Sequence, residues 1–392
     1  MKKQVRIIAR ELITIVVILV VLESCSRLFA PALPLQTDRD PLVGARYPRS
    51  MNEQVYNSEA KRRIWINTSA AGFRGPERSL HCPPGVHRVA VLGDSYISAE
   101  AVEEENTLIN KLQDLLQNSP LPGESWEVMN FGVSGSSTAD QLALYRHVVR
   151  DYDPDIVVIG YGTATDVVDN SPELTSQVRV RFRLEVDGTL VRESTQTKNS
   201  QVAGLLARWS RFYLWQKSCT NRLIKNIRRG VALPSRRDRV FAQQESEKIQ
   251  RAWKLTAAIL DQLDHETRRD GTQLVVMAVP CADQVYTDSE DRLSRRLAAA
   301  DRFDPLHPDR RLKEICDRHE IPCLLMAEDF RQRAPSRLST TREEWLFFHG
   351  AGHLNQAGHR AAAENLYRFL VGQQLLKVAT IPGRNELLFK RR

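Results

Sequence analysis

Five short runs, Arg88–Leu92, Trp126–Asn130, Asp155–Tyr161, Gln273–Pro280 and Pro322–Ala327, are apolar at nearly every position, and stretches of helical periodicity separate them. A strand that faces water on one side alternates apolar and polar residues. A strand apolar throughout must be covered on both faces. The pattern therefore predicts an α/β fold, a three-layer α/β/α sandwich around a mainly parallel sheet of about five strands. Helices are expected near Glu103–Asn118, Ala139–Asp151, Glu245–Asp270, Asp309–His319 and Gln356–Gly372. Such sheets bind ligands beyond the carboxyl ends of their strands. Three segments follow strand ends here: Ser95, Gly132–Ser137 and Thr163–Asp166.

Four spans follow from composition along the chain. Lys2, Lys3 and Arg6 precede Leu12–Leu22, which is apolar except for Thr14. Residues 1–27 are accordingly expected to be a cytoplasmic stub and a transmembrane helix near residues 7–23, with the basic flank inside. An uncleaved signal anchor fits best, because no Ala-x-Ala site follows. A lipoprotein signal ending Leu22–Glu23–Ser24–Cys25 and a buried amphipathic helix are the competing readings. Residues 28–60, with Pro31, Pro34, Pro41 and Pro48, are expected as an extended tether. Residues 61–375 form the main domain, with an insertion at 178–239, and 376–392 are a basic tail. In the insertion, Val178–Leu184 and Thr189–Glu193 flank Asp187–Gly188 as a hairpin, and Gln201–Ile227 reads as an amphipathic helix running into basic residues.

The net charge of +8 does not imply nucleic acid, since the basic residues are scattered and no nucleic-acid-binding motif accompanies them. Six cysteines without a CxxC pair are too few for a disulfide scaffold and form no zinc motif. The histidines are not spaced as ligands around a carboxylate, so neither metal nor cofactor is expected.

Two separated blocks carry the chemistry. The first, Val89–Leu92 followed by Gly93–Asp94–Ser95, ends a buried strand in a serine at a sharp turn. The second is Gly352–His353–Leu354–Asn355–Gln356–Ala357–Gly358–His359. A hydroxyl is a weak nucleophile until a base takes its proton, and the two groups meet in space, not in sequence. With Val133–Ser134–Gly135–Ser136 after the second strand and Gly162–Thr163–Ala164–Thr165–Asp166 after the third, these blocks resemble the SGNH (GDSL-like) hydrolases over roughly residues 60–372. The closest likeness is to a membrane-anchored bacterial branch, in which an Asn-x-x-Gly-Phe-Arg element precedes the serine. Here Gly72–Phe73–Arg74 matches, while Ser69 fills the Asn slot and Asn67 falls two residues early.

The resemblance implies Ser95 as nucleophile and His353 as general base, with an oxyanion hole from the Ser95 and Gly135 N–H groups. Thr165 stands where the family has Asn, and Thr163 is a second hydroxyl close by. The Asp expected two or three residues before the histidine is missing, since Ala351 and Gly350 occupy those positions. A Ser–His dyad could work slowly without it, or a carboxylate such as Glu343 or Glu344 could swing in. Asp94 is expected to buttress the turn, Asp166 to cap the following helix, and Asn355 and His359 to set the start of the last helix. The resemblance thus implies a serine hydrolase acting on O-acyl or acetyl esters of a small molecule or cell-envelope glycan, at the bacterial inner membrane and facing outward. The altered positions favour a weak or inactive scaffold that binds a glycan or partner protein as the alternative.

Overall fold

The computed structural model describes residues 2–29, 35–118, 125–175, 178–193, 210–230, 238–286, 303–334, 345–348 and 352–376. The chain divides into two compact units, one of residues 1–34 and 196–233, the other of 35–195 and 234–392.

In the larger unit, strands β1 (Asp38–Asp40) and β2 (Gly44–Arg46) form a small ribbon, and β3 (Asn52–Asn57) and β4 (Arg62–Asn67) form a hairpin. The main sheet comprises β5 (Val86–Gly93), β6 (Ser125–Gly132) and β7 (Ile156–Gly162). After the hairpin of β8 (Arg181–Leu184) and β9 (Leu190–Glu193), it is completed by β10 (Gln273–Val279) and β11 (Cys323–Leu325). All pairings in the main sheet are parallel, in the order β11-β10-β7-β5-β6. Alternate residues of each strand feed opposite layers. Ala90, Leu92, Val157, Ile159, Leu274 and Val276 join one cluster with the helices Thr138–His147, Glu247–Arg269 and His307–Arg318. Val89, Val91, Ile156, Val158, Val275 and Met277 join the other with the helices Leu108–Gln117, Ala327–Arg333 and Gln356–Gly372. The expected parallel sheet between helical layers is therefore present. Strand order reverses between β5 and β7, so the ligand crevice of such a sheet falls at those two strand ends.

The tether expected at 28–60 is corrected from residue 35 onward. Val43, Ala45 and Tyr47 are buried, and β1–β3 lie within this stretch. Its prolines fall between short strands, where a missing N–H costs no ladder bond. The insertion is also divided: its hairpin belongs to the larger unit, whereas 196–233 groups with the N-terminus.

In the smaller unit, helices Lys2–Phe29 and Arg211–Gly230 are joined by Glu23. Its carboxylate accepts from Ser210 Oγ at 2.9 Å and from the N–H groups of Arg211 and Phe212 at 3.0 and 3.2 Å, capping the second helix. Those donors outweigh desolvation and hold the carboxyl at about 2. The expected transmembrane span is not found. No helix among the described residues is long and apolar enough to cross a membrane. Charges at Arg10, Glu11, Glu23 and Arg27 confine the apolar run to Leu12–Leu22. That run covers about 16 Å of helix, against about 30 Å of hydrocarbon. Of the helix expected at 201–227 and the basic residues after it, positions 201–209 and 231–237 lie outside the described residues, as does the tail from 377.

Candidate active site

Three glycines bring the site together. The sheet register sets Gly93 beside Gly132 and Gly160, so the central strands end in bare backbone. The one-turn helix Ser95–Ser98 seats Ile97 on this floor. A Cβ at Gly93, Gly132 or Gly160 would meet Ile97 at 2.3, 2.7 or 2.5 Å. Asp94 caps the turn, its Oδ1 accepting the Tyr96 N–H at 2.9 Å, which is the buttress expected from sequence. Arg74, 3% exposed, holds the far end of the turn by donating to the carbonyls of Ser98 at 3.1 Å, Val102 at 2.8 Å and Ala99.

His353 arrives from the other end of the chain. An isolated bridge between Phe347 and Leu354 and a hydrogen bond from the Phe348 N–H to the His353 carbonyl at 2.9 Å fix its backbone. Asn355 caps the helix Gln356–Gly372 by accepting the Gly358 N–H at 3.0 Å, as expected. Tyr96 adds a lateral brace, donating its hydroxyl to the Gly352 carbonyl at 2.9 Å with its ring 5.5 Å from the imidazole. Ser95 Oγ then lies 2.7 Å from His353 Nε2.

The other imidazole nitrogen, Nδ1, lies 2.8 Å from Glu59 Oε2. Sequence reasoning missed this acid. It sits on the β3–β4 turn, in the stretch read as a tether. The residues considered instead, Glu343 and Glu344, and the slots at Gly350 and Ala351, lie outside the described residues. A carboxylate only accepts, so Nδ1 carries the proton and Nε2 is free to accept from Ser95. Burial disfavours the imidazolium. Glu59, with the charges of Asp94 and Glu100 behind it, nevertheless holds the His353 pKa above its ordinary value. With 39% of its side chain exposed, His353 remains open to a substrate.

Gly135 is exposed, at φ +73, between braced neighbours. The Ser134 N–H donates to Tyr47 Oη at 3.0 Å, and Arg179 Nη2 donates to the Ser134 carbonyl at 2.9 Å. The Tyr47 hydroxyl in turn donates to Glu100 Oε1 at 2.5 Å. The two threonines are placed less favourably. Thr165 donates its one hydroxyl proton back to the Gly162 carbonyl at 3.2 Å. Thr163 is fully buried and bonded to the Val279 carbonyl and Gln284, so it does not compensate. Asp166 is not the helix cap expected. It lies inside the first turn and accepts from the Gly162 N–H at 2.8 Å and Thr138 Oγ1 at 2.7 Å. Burial and the neighbouring Asp94 push its carboxyl well above the usual carboxylate range. His359 is buried with its pKa pushed down to about 3 and accepts the Leu108 N–H. Among the described residues no group of three side chains could hold a metal ion.

No protein-family model and no curated protein matches the chain. The solved structures it is similar to include esterases and lipolytic proteins. One is a lipolytic protein of the G-D-S-L family from Desulfitobacterium hafniense, with 11% identity, a TM-score of 0.36, and coverage of 72% of this chain and 99% of that one. Another is Axe2, an acetylxylan esterase from Geobacillus stearothermophilus, at 13%, 0.39, 72% and 94%. A third is a lipase/acylhydrolase from Enterococcus faecalis, at 14%, 0.38, 73% and 96%. At such identities the likeness says nothing about substrate or about which residues react.

Proposed function

We propose that the protein is a serine hydrolase of O-acyl esters, with Ser95 as nucleophile and His353 as general base. The observation that carries this reading is the 2.7 Å contact between Ser95 Oγ and His353 Nε2, made at the strand ends where the sheet order reverses. In the reaction, Nε2 takes the Ser95 proton as Oγ attacks the acyl carbon. The N–H groups of Ser95 and Gly135 receive the tetrahedral oxyanion. His353 then protonates the departing alkoxide, and a water molecule repeats the sequence to release the acid. Thr165 joins the oxyanion hole only after its hydroxyl turns away from Gly162, so turnover is expected to be slow. The substrate class belongs to the same proposal: an acylated small molecule or glycan, with acetyl as the simplest acyl group. An outward-facing location belongs to the proposal as well, supported by the basic residues Lys2, Lys3 and Arg6 ahead of the short apolar run Leu12–Leu22, the charge pattern of an exported chain, which needs no full-length span; a phosphatase reporter fused after Arg27 reads it.

The test is labelling of the purified full chain with a fluorophosphonate probe, alongside hydrolysis of 4-nitrophenyl acetate. Wild type should label and turn over, and Ser95→Ala should do neither. A folded wild-type protein that neither labels nor hydrolyses would leave the engaged Thr165 hydroxyl as the sign of a binding scaffold.

A further inference from the structure

We propose that Glu59 is the positioning residue of this site, supplying from the N-terminal β3–β4 hairpin the orienting carboxylate that the residues just before His353 lack. The inference rests on the hydrolase reading above and deepens it. Three features of the turn carry it.

First, Glu59 Oε2 is 2.8 Å from His353 Nδ1, on the side of the ring away from Ser95. The two other acids near the ring have different tasks: Asp94 Oδ1 accepts the Tyr96 N–H, and Glu100 Oε1 accepts a hydrogen bond from the Tyr47 hydroxyl. Second, the turn is built to hold Glu59 in place. Asn57 Oδ1 accepts the N–H groups of Glu59 and Ala60 at 2.9 and 3.0 Å, an Asx-type closure. Lys61 completes the turn at φ +54, a conformation an L residue adopts only at some cost. Third, Asn57 Nδ2 donates to the Glu100 carbonyl at 3.2 Å, which docks the turn onto the chain just past the Ser95 helix. The hairpin is thereby tied to the nucleophile's own segment, and the carboxylate and the hydroxyl share one frame.

A carboxylate at Nδ1 does two things. It selects the tautomer whose Nε2 can take a proton, and it stabilises the imidazolium formed when that happens. Replacing it with an amide reverses the first effect, because an amide N–H donated to Nδ1 leaves the ring proton on Nε2. The groups facing His353 are Glu59 from the hairpin, Asp94 and Glu100 from the Ser95 segment, and His359 on the following helix. Glu59 contributes the hydrogen bond as well as a charge, so its neutralisation lowers the pH at which the base is free.

The experiment uses the full chain, with Glu59→Gln, Glu59→Asp and, as a control on the exposed part of β3, Glu53→Gln. Fluorophosphonate labelling and ester hydrolysis are followed across about pH 5–9. Glu59→Gln should slow both by about 10²–10⁴-fold and shift the acid limb of the profile to lower pH. Glu59→Asp should lose less and keep the limb near its wild-type position, and Glu53→Gln should match wild type. Added formate should restore part of the rate to Glu59→Ala. Histidine-labelled NMR of wild type, which depends on no variant folding, should show neutral His353 protonated on Nδ1. A folded Glu59→Gln within a few-fold of wild type with an unmoved limb would overturn the proposal, as would an Nε2-protonated His353. An unlabelled wild type would instead remove the hydrolase reading itself.

Discussion

Adding a single methyl group at Gly132 or at Gly160 should have opposite consequences, although the two residues are neighbours of the same Gly93. At Gly132 a Cβ meets backbone, Ser98 N at 2.4 Å and Ile97 C at 2.7 Å. Ordinary contact begins at 3.4 Å, so the Ser95 helix has to withdraw by about 1 Å. A misplacement of that size costs about 10²-fold in a positioned reaction. At Gly160 the contacts closer than 3.0 Å are side-chain atoms, Ile97 Cγ1 at 2.5 Å and Cδ1 at 2.6 Å, which can rotate at about 1–3 kcal/mol of overpacking. Ile97→Ala alone should cost about 2–5 kcal/mol by leaving a cavity. Combined with Gly160→Ala it should cost less than the sum, with about 1–2 kcal/mol of favourable coupling, because the new methyl enters the vacated space. Combined with Gly132→Ala it should bring back no reactivity, because the backbone clash remains. Urea midpoints read the stabilities, and the rate of fluorophosphonate labelling reads the placement of Ser95. Wild-type labelling in Gly132→Ala, or its restoration by Ile97→Ala, would refute the reasoning.

Thr165→Asn should speed ester hydrolysis by about 10–10²-fold, since the longer amide can reach the oxyanion while Thr165 spends its proton on Gly162; steady-state kinetics check it. Arg74→Ala takes the guanidinium donor from the Ser98 and Val102 carbonyls and leaves the Ala99 carbonyl with the Val102 N–H alone, and should cost about 3–5 kcal/mol by urea unfolding. His359 provides a pH signature. Its folded pKa of about 3 lies below the unfolded value near 6.5, so the unfolded chain binds the extra proton in that window. Stability should therefore fall as pH drops from about 6.5 towards 3, and His359→Gln should flatten this slope in thermal melts.

The sheet was legible because β5, β7 and β10 are apolar at almost every position, and that pattern has one structural solution. Ser95 and His353 were legible because each sits in a short motif beside a predicted element boundary. Glu59 was not. Its strand β3, Asn-Glu-Gln-Val-Tyr-Asn, has no fully buried residue and carries no apolar alternation, and the prolines around it suggested an open chain. The available signal was the apolar run Ile64–Ile66, which reads as a strand and needs a partner. An Asn five residues before Arg62 and an acid two residues later mark the turn. The direction of the threonine hydroxyls was not legible for another reason. A motif reports which residue fills a slot, whereas the direction of a hydroxyl depends on the nearest carbonyl, here Gly162 for Thr165 and Val279 for Thr163. The membrane expectation weighed the apolar run above the charges that bound it.

The contact between Ser95 and His353 spans 258 positions of sequence, and that between Glu59 and His353 spans 294. This separation sets the order in which the molecule matures. During synthesis the hairpin and the serine leave the ribosome long before the histidine does, so every shorter nascent chain holds an acid and a hydroxyl with nothing between them. A product cut short before residue 353 can bury much of the same sheet and still lack the base. On the proposed reading, the set of Glu59, Ser95 and His353 is complete only once His353 has emerged and the helix Gln356–Gly372 that follows it has docked.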